Sequence, residues 1–186
     1  MKEKLNTPNT ITIFRIILVV PITICLIKNQ YFNATLLFFL AAISDVLDGW
    51  LARRLNMQTK IGAVLDPLAD KLLLNYTFIV LTLKSFIPLT LFATILTKDI
   101  ILVVGSVIEV FSVSSISDIT IKASITGKVS TFLQVAVIAL VFLKIFNIYF
   151  NPVLFSICVY TAIGFAILSL LSYIIKYIKK FEGGRK

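Results

Sequence analysis

Hydrophobic residues run through this chain in six long stretches separated by short polar breaks. The stretches are Thr10–Ile27, Tyr31–Ala52, Ile61–Leu83, Phe86–Phe111, Val129–Phe150 and Pro152–Ile175. Each is near the roughly 20 apolar residues that an α-helix needs to cross a bilayer. The pattern therefore predicts an all-α, polytopic membrane protein with six transmembrane helices. The first stretch is too polar at its start and too long for a cleavable signal peptide, and no small-residue cleavage site follows it. The longest polar interval, Ser112–Lys128, is rich in Ser, Thr and Ile. Its end reads as a loop, and no domain boundary is apparent, so residues 1–186 are expected to form one membrane domain.

Composition agrees with the pattern. Hydrophobic residues make up 59% of the 186 and charged residues 15%. The apolar share of a soluble domain is roughly 45–50%, so a soluble globular protein and a disordered chain are both excluded. There is no histidine, which removes His-based catalysis and His-ligated metals. Cys25 and Cys158 lie far apart in apolar runs and make neither a disulfide framework nor a metal pattern.

The net charge of +9 would suggest nucleic acid in a soluble protein. Here the cations sit mostly between apolar runs, so no nucleic-acid partner is expected. Twelve Lys and Arg, among them Lys2, Arg53, Lys60, Lys128 and Lys186, fall on the side that carries both termini. Lys28, Lys84 and Lys144 fall on the other, and Arg15, Lys71 and Lys98 lie inside spans. This imbalance predicts a multi-pass protein with both termini in the cytoplasm. The tail from Lys176 to Lys186 then reads as an anchor on anionic lipid.

Charged residues inside the spans carry the chemistry. Acids near a bilayer core are costly and mark function by default. Asp45 and Asp48, at i,i+3 spacing, share one face near the cytoplasmic end of the second span. Asp66 and Asp70, at i,i+4, share one face near the start of the third. The connection Arg53–Lys60 is short, so neighbouring antiparallel helices bring all four carboxylates to similar depth. Four such groups cannot all stay ionised unassisted: either some are protonated or cations neutralise them. With no His or thiolate nearby, a hard cation fits, Mg²⁺, Ca²⁺ or Mn²⁺. Two divalent ions would balance four carboxylates, an arrangement suited to phosphoryl transfer. Between the acidic pairs, Gly49, Ala52 and Gly62 allow close approach, and Arg53 offers a planar fork for phosphate. Small residues in membrane helices also serve packing, and Asp45 alone could pair with Arg15, Lys71 or Lys98.

The stretch Asp45-Val-Leu-Asp48-Gly49-Trp-Leu-Ala52-Arg53, eight residues, then Gly62-Ala-Val-Leu-Asp66-Pro-Leu-Ala-Asp70, resembles the CDP-alcohol phosphatidyltransferase signature D-x2-D-G-x2-A-R-x8-G-x3-D-x3-D. All eight fixed residue types over 26 positions agree. The resemblance implies six membrane helices around a cytoplasm-facing polar cavity. It implies that Asp45, Asp48, Asp66 and Asp70 bind two divalent cations, Mg²⁺ or Mn²⁺. Gly49, Ala52, Arg53 and Gly62 would contact the CDP moiety of CDP-diacylglycerol. Asp70 would also be the general base for an acceptor hydroxyl, with CMP expelled.

Within that family, Pro8-Asn9-Thr10-Ile11-Thr12 through Arg15 resembles the opening of the bacterial phosphatidylglycerophosphate synthases. Pro67 to Lys71 and Gly127-Lys128-Val-Ser-Thr131 resemble the same branch. That implies glycerol 3-phosphate as acceptor, bound by Arg15, Lys98 and Lys128, in a bacterial inner or plasma membrane. One departure is Lys98-Asp99 where many of these synthases carry Arg-Glu. An Arg-Asp pair with a later (G/S)-K-x-x-T-x-x-Q segment is similar to the cardiolipin synthases, which raises phosphatidylglycerol as the alternative acceptor. Lys98 and Asp99 diverge around a helix and are expected to need different partners, and the roles of Lys71 and Asp99 stay open. The resemblance also implies a homodimer. Two other functions compete: a transporter, which would predict broken helices near mid-membrane, and a non-catalytic scaffold, which would tolerate Asp→Asn at all four acids.

Overall fold

The computed structural model describes residues 7–55, 60–112, 125–148 and 150–183, with side chains described over 16–44, 71–105, 125–148 and 150–175. Six helices follow in order: α1 Thr7–Ile27, α2 Tyr31–Leu55, α3 Lys60–Leu83, α4 Leu89–Ser112, α5 Ile125–Ile145 and α6 Pro152–Gly183. No other regular element occurs among the described residues. Among the described residues two segments are long and apolar enough to cross a membrane, Ile125–Ile145 and Pro152–Ile175. Ile16–Ile27, Tyr31–Ser44 and Lys71–Leu83 are shorter apolar stretches among the described residues.

Local chemistry explains the helix ends. After α1, Asn29 takes a left-handed conformation (φ 59°). Its N–H donates to Leu26 O at 3.2 Å, and Gln30 N donates to Cys25 O at 2.8 Å. After α5, Asn147 (φ 52°) repeats the device, with Asn147 N to Lys144 O and Ile148 N to Leu143 O, both 3.2 Å. Each pair satisfies carbonyls that the helix end leaves free, and Asn is among the few residues that accept this conformation readily. At the start of α6, Asn151 Oδ1 accepts from Val153 N at 2.9 Å and from Leu154 N at 3.2 Å. Pro152 fills the first helical position, where its missing N–H is not needed.

Several boundaries differ from the hydrophobic pattern, those of the fourth and fifth helices for local reasons. The fourth helix starts at Leu89, not Phe86, because Pro88 disfavours helix in the residue before it, and the Pro88 carbonyl accepts the first bond, from Leu91 N at 3.2 Å. The fifth starts at Ile125 and stops at Ile145. Gly127 and Lys128 are therefore helical, not part of a loop. Phe150 falls beyond the left-handed stop at Asn147.

The chain divides into two compact units, Met1–Lys84 and Ser85–Lys186. In the first, α1 packs against both α2 and α3. Its core is Val19, Ile22 and Leu26 of α1, Ala34, Phe38 and Ala41 of α2, and Leu73, Leu74, Phe78 and Leu81 of α3. In the second, α6 packs against both α4 and α5. Its core includes Leu91 and Ile95, Val137, Ile138 and Val141, and Val159, Ala162 and Ala166. Many large apolar side chains remain exposed, such as Phe32, Phe132 and Tyr160. Such a surface suits lipid better than water.

Candidate active site

The first unit supplies a ruler for its charged residues. Lys84, just past α3, donates from Nζ to Ile27 O at 3.4 Å and to Asn29 Oδ1. The same ammonium stands 5.7 Å from the centre of the Tyr31 ring, and the Tyr31 phenol donates to Asn29 Oδ1 at 2.8 Å. The end of α3 is thus held level with the α1–α2 turn. Measured back from this common end at about 1.5 Å per residue, Arg15 lies roughly 18 Å along α1. By the same rise Asp45 and Asp48 lie about 21 and 26 Å along α2, and Asp70 and Asp66 about 20 and 26 Å along α3. Asp45 is level with Asp70, and Asp48 with Asp66.

Register adds direction. The buried stripe of α1 is Val19, Ile22 and Leu26, that of α2 is Ala34, Phe38 and Ala41, and that of α3 is Leu73, Leu74, Thr77 and Leu81. Steps of three and four residues keep to one helix face. Continued by such steps, the α1 stripe next reaches Arg15. The α2 stripe reaches Asp45, Asp48 and Ala52, and the α3 stripe reaches Asp70 and Asp66. The signature acids are therefore register continuations of the packed faces. The side chains of Arg15, Asp45, Asp48, Gly49, Ala52, Arg53, Gly62, Asp66 and Asp70 lie outside the described residues. Among the described residues no group of three or more His, Cys, Asp or Glu side chains forms.

The other predicted cations are described. Lys71 is half-buried, and its backbone carbonyl accepts from Asn75 Nδ2 at 2.9 Å. Lys128 is exposed on the first turn of α5. Lys98 is 1% exposed. Its Nζ lies 3.2 Å from Asp99 Oδ1 and donates to Ser130 Oγ of α5 at 3.1 Å. The expectation that Lys98 and Asp99 need different partners is corrected here: they pair with one another. The flexible lysine stem lets the ammonium fold back onto its neighbour, and two buried charges are far less costly together than apart. Lys98 and Lys128 stand apart in environment, one buried in an ion pair and the other exposed.

Ser130 and Gln134 carry polar groups into the same buried region; Gln134 is the glutamine that ends the family-like segment beginning at Gly127, whereas Ser130 was not singled out by sequence. Gln134 Nε2 donates to Ser130 Oγ at 3.3 Å, and both residues are 0% exposed. Their signal was available: two polar residues at i,i+4 on an otherwise apolar helix, placed to share a face.

Comparison with known proteins bears on the whole length. The family model described as CDP-alcohol phosphatidyltransferase matches residues 5–172. A CDP-diacylglycerol–glycerol-3-phosphate 3-phosphatidyltransferase of Aquifex aeolicus is 30% identical over 181 residues, covering 94% of this chain and 97% of that protein. One of the same name from Rickettsia bellii is 33% identical over 190 residues, covering 97% and 99%. A CMP-forming cardiolipin synthase of Rattus norvegicus is 40% identical over 98 residues, covering 52% of this chain and 32% of that protein.

Proposed function

From the premise that the chain belongs to the CDP-alcohol phosphatidyltransferase family, a family of polytopic membrane enzymes of phospholipid synthesis, we propose that it transfers the phosphatidyl group of CDP-diacylglycerol to glycerol 3-phosphate. The single observation behind the acceptor is that the relatives of that activity align over nearly their whole length.

The heights along α1, α2 and α3 suit this chemistry. A hydrocarbon core is about 30 Å thick, so groups some 20–26 Å from the outer helix ends lie close to the cytoplasmic boundary. Lipid phosphates and a water-soluble acceptor meet at that depth. Lys and Arg asymmetry puts both termini and this boundary in the cytoplasm.

Asp45, Asp48, Asp66 and Asp70 offer only hard oxygen ligands. Cys25, the thiol of the first unit, lies two residues from the opposite end of α1. The four aspartates therefore fit a pair of hard divalent ions, Mg²⁺ or Mn²⁺. When bound, these would supply charge stabilisation to the pyrophosphate and the departing CMP.

The chain's own residues do the rest. Gly49, Ala52 and Gly62 give the CDP moiety close approach, and the Arg53 fork binds phosphate in two directions at once. Asp70 takes the proton from the acceptor's primary hydroxyl. The freed oxygen forms a bond to the phosphatidyl phosphorus, and the bond from that phosphorus to the bridging oxygen breaks, with CMP taking the electron pair. Arg15 and the exposed Lys128 attract the anionic acceptor, while Lys98, matched by Asp99, braces α4 against α5. Positioning and electrostatics carry most of such a reaction.

The test is CMP release by purified protein given CDP-diacylglycerol, Mg²⁺ or Mn²⁺, and one acceptor at a time. Stimulation by glycerol 3-phosphate, lost on chelation and restored by the metal, is expected. Stimulation by phosphatidylglycerol alone would make the protein a cardiolipin synthase, the second reading, which rests on Lys98-Asp99 and on the partial match to the rat enzyme. Stimulation by neither would refute both acceptors.

A further inference from the structure

One end of the first unit gathers positive charge with no acid to meet it. Lys84 Nζ can give three hydrogens. It donates to Ile27 O at 3.4 Å and to Asn29 Oδ1, both neutral acceptors, and stands 5.7 Å from the centre of the Tyr31 ring. Asn29 Oδ1 also accepts from the Tyr31 phenol at 2.8 Å, so its two lone pairs are taken. One Lys84 hydrogen is left over among the described residues. Lys28 follows Ile27 directly, so its backbone adjoins the carbonyl that Lys84 holds, and its side chain is exposed. Neither lysine has a carboxylate partner among the described residues. By helical rise the acids of α2 and α3 lie about 20 Å or more away. The surroundings of these cations are apolar: Ile27 and Leu83, each next to a lysine, and Phe32, next to Tyr31, are all exposed.

We propose that the α1–α2 turn and the end of α3 form a binding site for an anionic phospholipid, with its phosphate between Lys28 and Lys84 and its acyl chains against Ile27, Phe32 and Leu83. The phosphate supplies the counter-charge that the protein withholds, and it accepts the spare Lys84 hydrogen in a charge-assisted bond. Tyrosine favours the headgroup level of a bilayer, and lysine keeps its ammonium there while its stem lies along apolar surface. A free phosphate ion would meet the cations but leave the apolar flank uncovered, so a lipid is the better match. The contacts of Lys84 already fix its ammonium, which lowers the cost of ordering it on binding. This end of the unit is opposite to the signature acids, so the bound lipid is a structural partner and not a substrate at the reacting centre. The inference rests on the chain spanning a membrane, as its family does, and not on the acceptor proposed above.

The experiment uses the full chain in lipid nanodiscs, with Trp50→Phe and Phe32→Trp placing a single fluorescent reporter at the site. Brominated acyl chains quench tryptophan on contact, so quenching by brominated phosphatidic acid is compared with that by brominated phosphatidylcholine at equal mole fraction. With both lysines present, phosphatidic acid is expected to quench at least about twofold more strongly, since each lysine near a surface is worth about fivefold in anionic-lipid binding. Lys28→Met removes a side chain with no printed-out partner to lose in the fold, and is expected to keep the melting temperature while lowering the preference. Adding Lys84→Met is expected to abolish the preference, and Lys84→Arg, which keeps the charge, to retain it. An excess of inorganic phosphate at constant ionic strength is expected to leave the preference in place. Equal quenching by the two lipids in the chain with both lysines, or a preference that Lys28→Met leaves whole, would overturn the site. Loss of the preference to inorganic phosphate would replace the lipid by a free anion and overturn the proposal.

Discussion

Asp70 and Asp99 are both aspartates on membrane helices, and neighbouring residues set different uses for them. Asp70 continues the packed stripe of α3 beside a second acid one turn away. Asp99 is 2% exposed, with the Lys98 ammonium 3.2 Å from its carboxylate. Asp70→Asn keeps shape and hydrogen-bonding capacity but removes the proposed base. Its kcat is expected to fall roughly 10²–10⁴-fold, with the melting temperature little changed; activity near wild type would remove Asp70 from that role. Asp99→Asn neutralises the carboxylate that stands 3.2 Å from the Lys98 ammonium, and breaking one side of a buried pair costs roughly 3–5 kcal/mol. A lower melting temperature is expected, with partial recovery when Lys98→Met is added. Thermal unfolding in micelles measures both.

At the scale of elements, the second unit is held by a stripe on each helix. Leu91, Ile95 and Lys98 lead by three- and four-residue steps to Gly105 on α4, and Val159, Ala162, Ala166 and Ser169 lead to Tyr173 on α6. The two stripes end against one another. A Cβ at Gly105 would overlap the Tyr173 phenol, with the ring Cζ 2.6 Å away, so the absence of a side chain sets how near α4 and α6 come. Gly105→Leu is expected to destabilise the protein by about 1–3 kcal/mol through overpacking. Tyr173→Ala in the same chain should relieve most of that loss, and a double-mutant cycle in denaturant reads the coupling. Additivity of the two changes would mean that the contact does not limit the approach.

For the whole molecule, the asymmetry of Lys and Arg predicts an orientation. Lys28, Lys84 and Lys144 fall at helix ends opposite to the basic termini. The structure draws Lys84 onto the α1–α2 turn and sets Lys144 4.9 Å from the centre of the Phe150 ring. A cysteine placed at position 2 or 186, in a chain with Cys25 and Cys158 replaced, is expected to react with an impermeant thiol reagent only from the cytoplasmic side. A cysteine at position 28 should react only from the outer side. Labelling of either terminus from outside would invert the topology and carry the acidic residues away from the cytoplasmic boundary.

The sequence by itself determined the helical class, the number of helices and the acidic signature. Those features are carried by composition and by fixed spacing, and 3.6-residue periodicity converts spacing into faces without further information. The chain's Asp45–Asp70 segment was legible for that reason, and so was the family. Local backbone chemistry at Pro88 and Asn147 shifted two helix boundaries by a few residues, because hydropathy does not sense where a helix is capped. Only the tertiary structure decided the partners of Lys98, because a flexible side chain can reach several groups and burial selects among them. The meeting of Gly105 with Tyr173 and of Lys98 with Ser130 likewise joins residues 68 and 32 positions apart. No periodicity within one helix encodes such pairs; they arise when separate helices pack to satisfy volume and charge together.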